Sequence, residues 1–148
     1  MCSNYDFTGT VCEGLVKPYI ILKRKGIKIG VFGLSPEMKG LVDLQKCEGV
    51  KYLDPIKVGQ QMASLLKDKY KCDLVICLSH MGWLKKGMSE QRIIAHTRGI
   101  DLLLGGHSHT YFQSLRYVKN LDGKEIPVDQ NGKHAVYVGK LLLQFKKK

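Results

Sequence analysis

Two stretches of the chain carry apolar residues without interruption, at a length suited to strands. "CDLVICLSH" (72–80) and "IDLLLGGHSH" (100–109) each begin next to an aspartate and end in small residues and histidine. Continuous apolar runs of this length are expected for strands covered on both faces. Between them, "SEQRIIAHTRG" (89–99) reads as a short helix started by Ser89 and stopped near Gly99. Upstream, "LDPIKVGQQMASLLKDKYK" (53–71) places Val58, Met62, Leu65 and Leu66 at i, i+4, i+7 and i+8, one helical face. Asp54 caps that helix and Pro55 fits its first turn. Earlier still, "PYIIL" (18–22) and "IKIGVFGL" (27–34) flank "KRKG", where Gly26 can take the positive φ of a hairpin turn. After a Gly/Asn-rich turn, "AVYVG" (135–139) and "LLLQF" (141–145) read as two last strands.

Strands alternating with helices predict an α/β fold with a largely parallel sheet and an antiparallel hairpin at its side. In such sheets ligands bind beyond the carboxyl ends of the strands. Three of the five histidines fall there: His80 closes "CLSHMG", and His107 and His109 close "GGHSH". Neutral imidazole is a common metal ligand, suited to zinc, iron, manganese or nickel. Gly105 and Gly106 let the backbone bend sharply and approach a ligand. Ser79 and Ser108 are placed to support the rings by hydrogen bonding. His96 reads as a surface or packing residue on its helix, and His134 as a turn residue. Asp73 and Asp101 stand at strand beginnings, the wrong end of the sheet for a site with these histidines.

Composition narrows the partners. The 148 residues suit one domain, and at 44% hydrophobic and 25% charged they read as globular rather than disordered. No apolar run approaches the length of a membrane helix, so no membrane partner is expected. "MCSNYDFTGT" shows neither a basic n-region nor an apolar h-region. The net charge of +11 favours anionic partners. The lysines are scattered and not interleaved with aromatics, which argues for a solvated basic surface over a nucleic-acid groove. The five cysteines have no C-x-x-C spacing, and Cys77 reads as a small core residue.

"DLVICLSHMG" (73–82) and "GIDLLLGGHSH" (99–109) resemble the later motifs of the calcineurin-like metallophosphoesterases, in the 5′-nucleotidase branch. There an L-S-H-x-G block and a G-G-H-S/T-H block follow one another, separated by a helix. "SNYDFTGT", "VKPYIILKRKGIKIGVFGLSPE" and "VYVGK" are similar to that branch too, so the resemblance covers nearly the whole chain. It implies a four-layer α/β/β/α sandwich with a mixed, largely parallel inner sheet. The implied activity is hydrolysis of a phosphorylated small molecule, a nucleoside 5′-monophosphate, by water activated on two divalent ions such as zinc or manganese. On that resemblance His80 and His107 match ligands of one metal and His109 a ligand of the other. Enzymes of this branch are often periplasmic or otherwise exported.

The branch also carries, upstream of these motifs, a D-x-H block, a G-D block with a bridging aspartate and a G-N-H-E/D block. None occurs in these 148 residues. The expectation is therefore a single, N-terminally truncated domain over 1–148. Alone it should be inactive or nearly so, binding at most one divalent ion through His80, His107 and His109. The alternatives are a non-catalytic metal-binding fragment that pairs with another chain, or with its own copy, through an exposed sheet edge, and a basic nucleic-acid-binding module.

Overall fold

The computed structural model describes residues 1–145. Its elements in chain order are β1 (Tyr5–Asp6), β2 (Tyr19–Arg24), β3 (Ile27–Leu34), a 3-10 turn (Leu44–Cys47), β4 (Lys51–Tyr52) and α1 (Pro55–Ser64). A π-helical turn (Leu65–Lys69) extends α1, followed by β5 (Leu74–Ser79), α2 (Glu90–Ala95), β6 (Leu102–Leu104), β7 (Arg116–Lys119) and β8 (Glu125–Asp129). Six strands form one sheet in the order β2-β3-β5-β6-β8-β7, and β1 pairs with β4 apart from it. The four inner strands run parallel, with antiparallel β2 and β7 at the two edges. The α/β class and the mixed, largely parallel sheet follow the sequence pattern.

Local chemistry explains the helix boundaries. The Asp54 carboxylate accepts the backbone N–H groups of Ile56 and Lys57, and Pro55 occupies the first turn of α1. Ser89 caps α2 by accepting from Arg92 N. In the hairpin of β2 and β3, Lys25 and Gly26 both take positive φ, the geometry a two-residue turn needs to match strand twist. The helices pack on one face of the sheet, where Phe32, Val75, Cys77, Leu103, Ile126 and Val128 meet Ala63, Leu66, Ile93 and Ile94 in one core. On the other face Leu78 is 41% exposed, and it lines a shallow cleft with Met1 and Leu104.

Asp73 and Asp101 serve the opposite end of the sheet. Asp73 accepts from Lys28 N, and Asp101 accepts from Val75 N while pairing with Lys67 and Lys124. They tie strand starts together and stand away from the histidines.

The tail differs from expectation. Residues 135–139 and 141–145 form no strand; Val138 is 91% exposed and Leu142 81%. These apolar residues make no strand pairing; Tyr137 instead stacks on Tyr111 with ring centroids 4.1 Å apart, and a strand exists only where a partner accepts its hydrogen bonds. The outer strands come instead from the β7–β8 hairpin. Asn120 closes its turn, accepting from Asp122 N and Lys124 N.

Candidate functional site

The carboxyl ends of β3, β5, β6 and β8 open at the same end of the sheet, as parallel pairing requires. His80 follows β5 directly, and its backbone N–H donates to Leu34 O at 2.8 Å, so the residue continues the ladder. The loop after β6 carries Gly105 to Thr110. In it His107 (φ 72°) and His109 (φ 55°) adopt the left-handed conformation, uncommon outside glycine. This bend is what brings His107 over His80: the ring centroids stand 5.1 Å apart at 70°, edge to face.

Each glycine of the two motifs has a steric reason. A Cβ on Gly106 would lie 3.2 Å from His80 Nδ1. Gly82 has φ +84°, and a Cβ there would lie 3.3 Å from His107 Cδ2. A Cβ on Gly105 would lie within 2.6 Å of the carboxyl carbon of Glu90. The histidine rings and their glycines are thus packed as one unit.

Glu90 was not legible as a site residue. It is 0% exposed, at the start of α2 beneath both histidine turns. Its Oε1 accepts Gly106 N–H at 3.2 Å, and its Oε2 accepts one N–H of Gln130 at 2.6 Å. Gln130 uses its other N–H on Gly106 O, and its own oxygen accepts from the Ser108 hydroxyl at 3.0 Å. That hydroxyl also accepts Trp83 N–H at 2.9 Å and meets the Thr110 hydroxyl at 2.8 Å. Ser79, expected to support a ring, instead accepts from Met81 N. The two serines therefore stabilise the turns rather than touch a ring.

Burial pushes the Glu90 carboxyl above its usual range, while bonds from Gln130, Gly106, Ser79 and Gly82 pull it back. His80 is shifted down, first by partial desolvation and then by the neighbouring His107 and His109. A lowered value keeps the ring neutral, with a lone pair free to act as ligand or hydrogen-bond acceptor. Next to the two rings, Tyr5, Pro36, Met38, Leu41 and Val42 wall a largely apolar pocket of ≈ 300 Å³.

His109 does not join the pair. It is exposed, and its ring lies 6.5 Å from that of His134. His134, read from sequence as a bare turn residue, is thereby brought to the same end of the sheet. His96 caps the end of α2, its Nδ1 at 2.8 Å from Arg92 O, consistent with a surface role. Among the described residues no group of three or more His, Cys, Asp or Glu gathers closely enough to hold a metal ion. Two convergent imidazoles are one side of a coordination shell, so the residues present do not by themselves fit a complete divalent-ion site.

No family model matches the chain. Relatives are nonetheless clear. It is 31% identical over 149 residues to a 5′-nucleotidase-related protein of Glossina morsitans morsitans, spanning 90% of this chain and 26% of that one. It is 27% identical over 138 residues to the trifunctional nucleotide phosphoesterase YfkN of Bacillus subtilis, spanning 92% of this chain and 9% of that one. The fold superposes on the 5′-nucleotidase precursor of Thermus thermophilus with a TM-score of 0.75 at 25% identity, over 88% of this chain and 27% of that one. On the calcineurin-like phosphoesterase structure of YfkN the TM-score is 0.67 at 26% identity, over 89% of this chain and 46% of that one. The chain spans about a quarter or less of the length of these curated relatives. In sequence and fold the chain is therefore similar to a portion of 5′-nucleotidases and of a calcineurin-like phosphoesterase.

Proposed function

We propose that these 148 residues are the histidine-bearing part of a metal-dependent phosphoester hydrolase that converts a nucleoside 5′-monophosphate to nucleoside and phosphate. His80, His107 and His109 are its metal-ligating residues, and the carboxylates such a site needs come from outside the 148 residues. The observation carrying this reading is the His80–His107 pair, 5.1 Å apart at the carboxyl ends of adjacent parallel strands, on motifs that resemble those of nucleotidases. Taken alone, the unit is a single truncated domain that binds at most one divalent ion and turns over little or no substrate. His80 acts as a neutral donor, and the apolar pocket beside the two rings excludes water from one side of a bound ester.

The test is direct. Purified chain with excess manganese or zinc and 5′-AMP should release no phosphate above background, while equilibrium dialysis finds at most one metal per chain, lost in His107→Ala. Turnover abolished by His107→Ala would refute the claim that the unit is inactive alone. Absence of any histidine-dependent metal uptake would refute the metal reading itself.

A second reading, a non-catalytic fragment that pairs with another chain, is favoured by the exposed Leu78 and by the unpaired apolar tail. It predicts that a separate polypeptide bearing the D-x-H, G-D and G-N-H-E/D blocks restores phosphate release on mixing.

A further inference from the structure

We propose that Glu90 is a positioning residue of this site, holding the 105–110 loop so that His107 faces His80. The inference rests on reading the two histidines as functional, and it concerns how they are held rather than what they bind.

Three observations carry it. First, the hydrogen bonds of Glu90 lead to the two histidine turns: its carboxylate reaches Gly106 N–H and Gln130, and its backbone N–H donates to Gly82 O. Gln130 relays the contact to Gly106 O and to Ser108, so the residues on both sides of His107 are fixed through one carboxylate. Second, no salt bridge reaches Glu90 among the described residues, and its charge is met by hydrogen bonds alone. Burying a carboxylate costs more than burying an apolar side chain of the same volume, so a purely structural role would be better served by a hydrophobe. Third, Gly105 leaves open the space the carboxylate fills, and Gly106 leaves open the space beside the His80 ring. The double glycine accommodates the carboxylate on one side and the imidazole on the other.

Held in this way, His107 keeps a left-handed backbone without being glycine. Such a conformation persists only where its surroundings over-determine it. Without the carboxylate, Gly106 N–H and one N–H of Gln130 lose their partner, and the loop can relax toward a commoner φ.

The test uses Glu90→Gln in the full chain. It keeps the volume of the side chain but turns a donor toward either Gln130 Nε2 or Gly106 N–H. Proton NMR of the wild type should show a contact between the His80 and His107 rings and slow exchange of the Gly106 amide. In Glu90→Gln that amide should exchange about tenfold faster and the ring contact should weaken, while the amides of β3 and β5 stay protected. An unchanged ring contact and unchanged Gly106 exchange in a folded variant would overturn the proposal. If the variant does not fold, the wild-type Gly106 amide decides: protection supports the proposal and free exchange overturns it. Metal dialysis on His107→Ala tests the functional reading separately, because ring order is measured without metal or substrate.

Discussion

Gly105→Ala offers the sharpest check on the packing around the histidines. The backbone of Gly105 is outside the left-handed region, so an added methyl meets no conformational penalty. On backbone entropy alone the change would stabilise by about 0.4–1 kcal/mol. The new Cβ, however, would stand 2.5 Å from Glu90 Oε2 and 2.6 Å from its carboxyl carbon, against 3.4–4 Å for ordinary contact. The carboxylate must retreat by about 1 Å, which carries bonds of 2.6 and 3.2 Å past useful length. Each hydrogen bond to a charged group is worth about 1.5–3 kcal/mol, and protonation of Glu90 returns part of that. A net loss of about 3 kcal/mol is expected. Glu90→Ala alone should cost a similar amount, about 2–3 kcal/mol, by stranding the Gly106 and Gln130 donors. In the double variant the clash is gone, so the loss should stay near about 3 kcal/mol instead of summing to about 6. Urea unfolding of the four proteins measures this coupling. Additivity within about 0.5 kcal/mol would refute the claim that Gly105 is required by Glu90.

Two other outcomes follow. Glu90 has a folded-state pKa raised above its ordinary value, chiefly by burial. The folded state therefore binds more protons than the unfolded one between those two values. The stability this contributes is fully present below the ordinary carboxyl range and is lost as pH rises through the folded-state value; Glu90→Gln should abolish that slope in unfolding free energy against pH. The five cysteines are free, with Cys72 and Cys77 buried and Cys2, Cys12 and Cys47 partly accessible. A thiol reagent should therefore label three sites in the native protein and the remaining two only on unfolding.

How far the sequence foretold the structure depended on whether a signal was local. The strands that lead to His80 and His107 are legible because their apolar runs are continuous and each is preceded by an aspartate that ties strand starts together. Helix α1 was legible from its apolar face and its Asp-Pro entry. The tail departs from expectation because an apolar run such as 135–139 or 141–145 fits a strand without saying what it pairs with. The β7–β8 hairpin did carry a signal, the Asp122-Gly123 pair between "RYVK" and "KEIPV", but charges and Pro127 diluted the apolar pattern around it. Glu90 stands in the first turn of α2, where any acid is favourable, so nothing local marks it out. Its partners lie 16 and 40 positions away, and only the fold brings them together. His109, matched by the resemblance to a different metal from His107, is turned away from it by left-handed backbone at both residues.

The leucine left bare on the far face of the sheet gives the chain a colloidal character of its own. Leu78 and the apolar tail offer contact surface, while a net charge of +11 pushes neighbouring molecules apart. That repulsion reaches about 30 Å in 0.01 M salt but only about 8 Å at 0.15 M. Ionic strength therefore sets the balance between dispersal and contact, and a buffer chosen to mimic the cell is harsher on this protein than a dilute one.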